Sequence, residues 1–188
     1  AKKIIAISEN TKKDLIKLLG LNPNKIEVIY YGIGEEFQVN KTKSKEELRH
    51  RLGLPGKNTK LILITGQELY KNHKTCLQTM KIVEEMYDEP VRMVRLGKDY
   101  PEWVNFEKEN NLQNRVLQID KLRLTEIADL YNSVDVLLFP SFYEGFGRPP
   151  MEAMACGLPV VCSNAASLPE VVGDGALMSD PEDAFGLS

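Results

Sequence analysis

Short apolar runs rich in β-branched residues alternate with amphipathic stretches along nearly the whole chain, and this alternation restricts the fold more than any other feature. It is the pattern of βαβ units, in which each helix carries the chain back across a parallel sheet. The runs fall at Ile4 to Ile7, Ile26 to Tyr30, Leu61 to Thr65, Val91 to Leu96, Val116 to Ile119, Val134 to Phe139, Pro159 to Cys162 and Ala176 to Met178. The first helix is expected to carry Leu15, Leu18 and Leu19 on one face, with Asn10 or Thr11 as its cap and Gly20 closing it. Further helices are expected at about Ser44 to Leu52, His73 to Tyr87, Tyr100 to Asn110, Thr125 to Asn132 and Pro149 to Ala155. An unbroken apolar run such as Val136, Leu137, Leu138, Phe139 suits a strand covered on both faces. The expected class is α/β with a doubly wound parallel sheet. Tyr31 to Lys43 breaks the pattern, being polar and aperiodic, and reads as a linker that places a boundary between residues 1–40 and 41–188.

Composition removes several functional classes. With 24 Lys and Arg against 27 Asp and Glu, the formal charge of −3 lacks the basic excess that drives nucleic-acid binding, so no nucleic-acid partner is expected. Cys76, Cys156 and Cys162 are odd in number, widely spaced and without metal-ligand spacing, which reads as buried thiols in a reducing compartment. No stretch approaches the roughly 18 apolar residues of a membrane helix, and no signal-peptide core opens the chain, so a cytoplasmic location is expected. The abrupt ends suggest a piece of a longer chain. His50 and His73 are isolated and read as surface or helix-end residues; the methionines and Trp103 read as packing.

In a doubly wound sheet the ligand sits outside the carboxyl ends of the strands, where strand order reverses. Those loops begin at Gly66, Gly97, Asp120 and Ser141. The densest in potential chemistry is Ser141 to Gly157, which leaves an apolar strand, crosses Gly145 and Gly147, and enters a helix through Pro149 and Pro150. Free amides and the positive end of a helix dipole favour a phosphate or carboxylate there, although a purely structural turn has the same sequence. Glu144 and Glu152, eight residues apart, bracket the loop. They can accept strong hydrogen bonds from sugar hydroxyls, or merely cap amides and complement the dipole. Lys71, Lys74 and Arg148 are the cations available to a diphosphate.

The segment FPSFYEGFGRPPMEAMACGLPVVCSNAASLPEVVGDGAL resembles the donor-binding signature of the family 4 retaining glycosyltransferases, which have the GT-B fold. Glu144 and Glu152 fill its Glu-x7-Glu spacing, and the GLPVV strand and LPEVVGD segment follow in the family's order. AISENTKKDL with KIEVIYYGI resembles the family's last amino-domain strand and helix plus linker, and TGQELYKNHKTCL its phosphate loop, so the likeness runs from about residue 4 to 183. It implies a Rossmann-like donor-binding half whose amino-terminal acceptor domain is missing. It implies that Glu152 holds the ribose hydroxyls, that Glu144 meets the sugar near the reacting carbon, and that Lys71 neutralises the diphosphate. The amides of Gly145, Phe146, Gly147 and Arg148 would line the sugar and phosphate site, with Gly66, Gln67 and Asp120 completing the donor pocket. The family transfers with retention, generally without a metal and with no cofactor besides the UDP- or GDP-linked donor. The leading expectation is transfer of a hexose from that donor to a glycan or lipid-linked acceptor, with peripheral membrane contact expected only through the absent domain.

The chain departs from the family where Gln67 and Tyr70 replace arginines of the phosphate loop, where Asp120 replaces a glycine near the base site, and where Tyr31 replaces the linker asparagine. These changes leave open whether Arg148 completes the cationic clamp. Gln67 and the missing acceptor domain favour a second reading, a nucleotide-sugar-binding module that lacks catalysis or needs a separate partner subunit. A dehydrogenase fits poorly because no GxGxxG turn follows an early strand, and a P-loop NTPase because GxxxxGK[ST] is absent.

Overall fold

The computed structural model describes residues 2–99, 101–111 and 114–188. Near the amino terminus, β1 (Ile4–Ala6) and β2 (Ile26–Val28) pair in parallel and are joined by α1 (Glu9–Leu19). The cap of α1 is Ser8, not Asn10 or Thr11: the Ser8 hydroxyl accepts the Thr11 amide, and Gly20 closes the helix in the left-handed region at φ 62°. No residue of α1 is buried.

The remaining strands form one parallel sheet: β3 (Lys60–Thr65), β4 (Val91–Leu96), β5 (Val116–Ile119), β6 (Val136–Phe139), β7 (Val160–Ser163) and β8 (Leu177–Ser179). Their spatial order is β5-β4-β3-β6-β7-β8. The chain winds outward from β3 to β5, returns to the far side of β3 as β6, and winds outward again to β8. Strand order therefore reverses between β3 and β6, and the loops leaving these two strands form the walls of the crevice where such sheets bind ligands.

Alternation along each strand feeds two apolar layers. Leu61, Leu63, Val94, Leu137, Phe139, Val160 and Cys162 face α5 (Leu124–Tyr131), α6 (Arg148–Ala155) and α7 (Leu168–Val172). Ile62, Ile64, Met93 and Leu138 pack with Cys76, Leu77 and Met80 of α3 (His73–Met86) and Trp103 of α4 (Pro101–Glu109). At the opposite end of the sheet from the crevice, Arg49 of α2 (Lys45–Arg51) is 3% exposed. It donates to the carbonyls of Ser133, Gly56 and Thr59 and to the Asp135 carboxylate.

The expected strands and helices stand where the alternation places them, with ends shifted by a residue or two. Tyr100, expected to open α4, lies outside the described residues. Three features were not anticipated. The short α7 was not foreseen, because Ala166 must take φ 51° to start it. The 31–43 segment is not a bare linker, since Phe37 is buried against Tyr131 with ring centroids 6.0 Å apart. His73 opens α3 but is buried rather than superficial, edge-on to Trp103. Burial, then the Arg95 charge, pushes its imidazole down to about 4. The three cysteines are buried and unpaired, and burial pushes the thiols of Cys156 and Cys162 up to about 11. Among the described residues no helix is long and apolar enough to cross a membrane.

Candidate functional site: the crevice between β3 and β6

After β3 the chain turns at Gly66 (φ 95°), passes through a short 3-10 turn at Leu69–Lys71, and reaches Asn72 in the left-handed region (φ 56°) before α3 begins. Asn72 stitches the two walls together: its side-chain amide donates to the carbonyls of Pro140 and Pro181. The Phe142 amide, on the β6 side, donates to the Tyr70 carbonyl. The turn folds the Lys71 side chain back over Gly66, where a Cβ would fall 2.8 Å from Lys71 Cε. Gly97, after β4, is likewise pressed on Gly66, a Cβ there falling 2.7 Å from the Gly66 carbonyl oxygen. Both glycines thus have a packing reason to lack a side chain.

Lys71 Nζ donates to Glu144 Oε1 at 2.7 Å and stands 4.5 Å from the centroid of the Phe139 ring. Two of the residues singled out from sequence, 73 positions apart, are therefore brought into direct contact at the switch point. Glu152 is 8% exposed on α6, and both of its oxygens are engaged: Oε2 accepts the Tyr131 hydroxyl at 3.2 Å and Oε1 lies 3.0 Å from Arg148 Nη2. Burial and the adjacent Glu152 carboxylate raise the Tyr131 phenol well above its ordinary range, so it acts as a donor. Arg148 accordingly pairs with Glu152 along the helix.

Between these carboxylates the loop reaches Gly147 (φ 100°), where a Cβ would fall 2.6 Å from Leu168 Cδ2. Gly147 supplies no side-chain cap, and Pro149 and Pro150 remove two amides from the first turn of α6. Among the described residues, nothing accepts a hydrogen bond from the amides of Gly145, Phe146, Gly147 or Arg148. Unpaired amides gathered at one bend, beside a fixed ammonium group, suit an anion.

The other expected residues stand further out. Gln67 is exposed, and its amide donates to Glu68 Oε2 at 3.2 Å. Partial burial would raise the Glu68 carboxyl, but the amides of Glu68 and Gln67 and the nearby Lys71 hold it below its ordinary value. This places a carboxylate in the turn between β3 and α3. Asp120 is exposed at the end of the edge strand β5, and no other expected site residue lies within hydrogen-bonding or ion-pair distance of it. Lys74 is exposed on α3. Among the described residues no three His, Cys, Asp or Glu side chains cluster as metal ligands.

Sequence reasoning missed Ser8, Thr11, Ser167, Tyr131 and Glu170. The hydroxyls of the first three reach carbonyls of the glycine loop, and Glu170 accepts the amides of Glu9 and Asn10. Ser8 carried a signal as a cap residue immediately before the helical pattern, Thr11 was itself offered as that cap, and Ser167 and Glu170 lie in the quoted signature segment, but none of these signals pointed to a contact with the glycine loop or α1.

The family described as "Glycosyl transferases group 1" matches residues 44–187. The chain belongs to this family. Among relatives of this group 1 glycosyltransferase chain, O-antigen chain mannosyltransferase B of Escherichia coli is 56% identical over 63 residues, 34% of this chain and 16% of that protein. A D-inositol 3-phosphate glycosyltransferase of Xylanimonas cellulosilytica is 31% identical over 182 residues, 91% of this chain and 42% of the relative. HepE of Anabaena, solved in complex with UDP-glucose, superposes with a TM-score of 0.84 at 23% identity, covering 100% of this chain and 52% of that one. That likeness establishes the fold, a Rossmann-like α/β unit of the kind found in GT-B glycosyltransferases. The matched segments span 16% and 42% of the lengths of these two curated relatives.

Proposed function

We propose that this chain is the donor-binding part of a retaining glycosyltransferase that moves a hexose from a UDP- or GDP-sugar to a glycan or lipid-linked acceptor. The observation that carries the reading is the Lys71–Glu144 pair, set at the switch point beside four amides with no protein acceptor. As the bond from the anomeric carbon to the diphosphate breaks, its electron pair leaves with the diphosphate, the acceptor oxygen bonds to that carbon on the same face, and the acceptor's proton passes to the departing phosphate oxygen. A fixed ammonium group and oriented amides stabilise that charge without reorganising. Glu152, aimed by Tyr131, takes the ribose hydroxyls, and Glu144 takes the sugar hydroxyls, leaving one face of the sugar to the acceptor oxygen. The two carboxylates grip opposite ends of one donor; they are not an acid/base pair of the glycosidase kind.

In this reading residues 1–40 are the last strand and helix of an amino-terminal acceptor domain plus the linker, and residues 41–188 are the donor domain. The acceptor, and any peripheral membrane contact, belong to that further domain. The donor requires no additional cofactor. Three buried thiols suit the reducing cytoplasm. The mannosyltransferase named among the relatives and the UDP-glucose held by HepE support a hexose donor.

Titration with UDP, GDP and their hexose forms, followed by a turnover assay on a longer chain carrying the acceptor domain, tests the proposal. Absence of binding to every nucleotide sugar defeats it, and an inverted product anomer by NMR removes retention. A second reading, a nucleotide-sugar-binding module that lacks catalysis or needs a separate partner subunit, is favoured by Gln67 in place of arginine. Donor binding with no transfer by the longer chain decides for it.

A further inference from the structure

We infer that Ser8 and Ser167 are positioning residues for donor binding, a buried hydroxyl clasp that aims the amides of the glycine loop. This rests on the donor-site reading above and adds to it residues outside the loop. In a trans peptide unit the C=O of one residue and the N–H of the next point in opposite directions, so fixing a carbonyl fixes the following amide. Three successive carbonyls are fixed here. The Ser167 hydroxyl lies 2.9 Å from both the Glu144 and the Phe146 carbonyl oxygens and shares its one proton between them. The Gly145 carbonyl between them is turned the other way, to the Ser8 hydroxyl at 2.7 Å and the Thr11 hydroxyl at 3.1 Å.

The amides of Gly145 and Gly147 must then point away from Ser167, and that of Phe146 away from α1. These are the amides that have no protein acceptor. Ser8 and Ser167 are fully buried, so water does not compete for the carbonyls. Ser8 can serve two roles at once because its oxygen accepts the Thr11 amide at 2.9 Å while its proton lies toward the Gly145 carbonyl at 2.7 Å, with the Thr11 hydroxyl oxygen at 2.8 Å as its other acceptor.

The test compares binding of UDP and GDP with that of uridine and guanosine. Ser8→Ala and Ser167→Ala should each weaken the diphosphate that the wild type binds about five- to tenfold, the loss of one hydrogen bond. Each should leave the matching nucleoside unchanged, and Ser8→Thr should restore the wild-type value. A purely structural role would lower the melting temperature and weaken nucleoside and diphosphate alike; that result, or unchanged diphosphate affinity, overturns the clasp. If an alanine variant does not fold, the near-isosteric Thr11→Val, which leaves the Ser8 cap in place, takes over the comparison: selective loss of diphosphate affinity supports the clasp, and equal or no loss overturns it. A wild-type chain that binds neither diphosphate overturns the donor reading itself, and the clasp with it.

Discussion

Lys71 Nζ and Glu144 Oε1 stand 2.7 Å apart across the point where strand order reverses, with their side chains only 10% and 11% exposed. A diphosphate arriving at Lys71 must therefore share the ammonium group with a carboxylate already bound to it. Glu144→Gln keeps the shape and removes the competing charge, so calorimetry should show UDP or GDP binding several-fold more tightly while turnover of a complete enzyme falls. Weaker diphosphate binding by this variant would count against competition for Lys71.

The converse substitution, Lys71→Met, keeps the aliphatic stem that packs on Gly66 and discards the charge. Diphosphates should weaken by about tenfold or more relative to the nucleoside, as expected when a charge-assisted contact is lost. Breaking a mostly buried pair from one side should also destabilise the fold by on the order of 3 kcal/mol, because Glu144 is left without its partner. Equal weakening of nucleoside and diphosphate would remove Lys71 from the phosphate site.

Glu152 and Tyr131 yield a separable prediction, since the hydroxyl of Tyr131 holds one carboxylate oxygen while Arg148 holds the other. If Glu152 accepts from the ribose, replacing it by Ala should cost about as much nucleotide affinity as removing the 2′-hydroxyl, and the two changes should not add. Tyr131→Phe should reproduce a fraction of that loss by leaving the carboxylate less firmly aimed. Additive losses from Glu152→Ala and the 2′-deoxy nucleotide would place the ribose elsewhere.

The fold was legible because each strand is a run of apolar residues bounded by helical periodicity, so Leu61, Leu63, Ile62 and Ile64 declare both faces of β3 without help from distant residues. Glu144 and Lys71 were legible as candidates through motif and loop position. Their contact was not, because 73 residues of chain separate them and only the strand order β3-β6 closes that distance. Ser167 and Glu170 lie in the quoted signature segment, yet nothing there named their partners, and the cap signal at Ser8 said nothing of Gly145, since what these residues bind is backbone, which every sequence supplies equally. The pairing of Arg148 was also hidden: the loop position offered it as a cation available to a diphosphate, and helical i,i+4 spacing sets it beside Glu152.

Asp135 gives the acid dependence of stability a local origin. Partial burial would raise its carboxyl, but the hydrogen bond from Lys45, the Leu61 amide and the Arg49 charge together hold it below its ordinary value. A depressed carboxylate contributes stability that is complete above its unfolded pKa and disappears as pH falls through the folded one. The melting temperature should thus begin to fall as the pH drops below about 4, the ordinary carboxylate range. Asp135→Asn should melt lower than wild type at pH 7, and the two curves should converge in acid. Parallel curves down to the acid limit would show that Asp135 contributes nothing to the pH dependence.

The short helix α7 acts in two directions, holding the glycine loop through its cap residue Ser167 and α1 through Glu170. Glu170 Oε2 accepts the Glu9 amide at 2.8 Å and Oε1 the Asn10 amide at 2.9 Å, while the Tyr30 hydroxyl donates to Oε2 at 3.1 Å. These are unpaired amides at the positive end of α1, where a carboxylate is favoured by charge as well as by hydrogen bonding. No residue of α1 is buried, so this contact, the Ser8 and Thr11 bonds to Gly145 and the Tyr143 hydroxyl bond to Asp14 at 2.6 Å stand in for a packed interface. In Glu170→Ala the amides of α1 should exchange with solvent about tenfold faster, as loss of a charge-assisted bond requires. Amides of β3 and β6 should keep their protection, because the core does not depend on Glu170. Unchanged exchange in α1 would mean that the helix is held by its own cap alone, and equal acceleration in the sheet would mean that Glu170 stabilises the whole fold and not this junction.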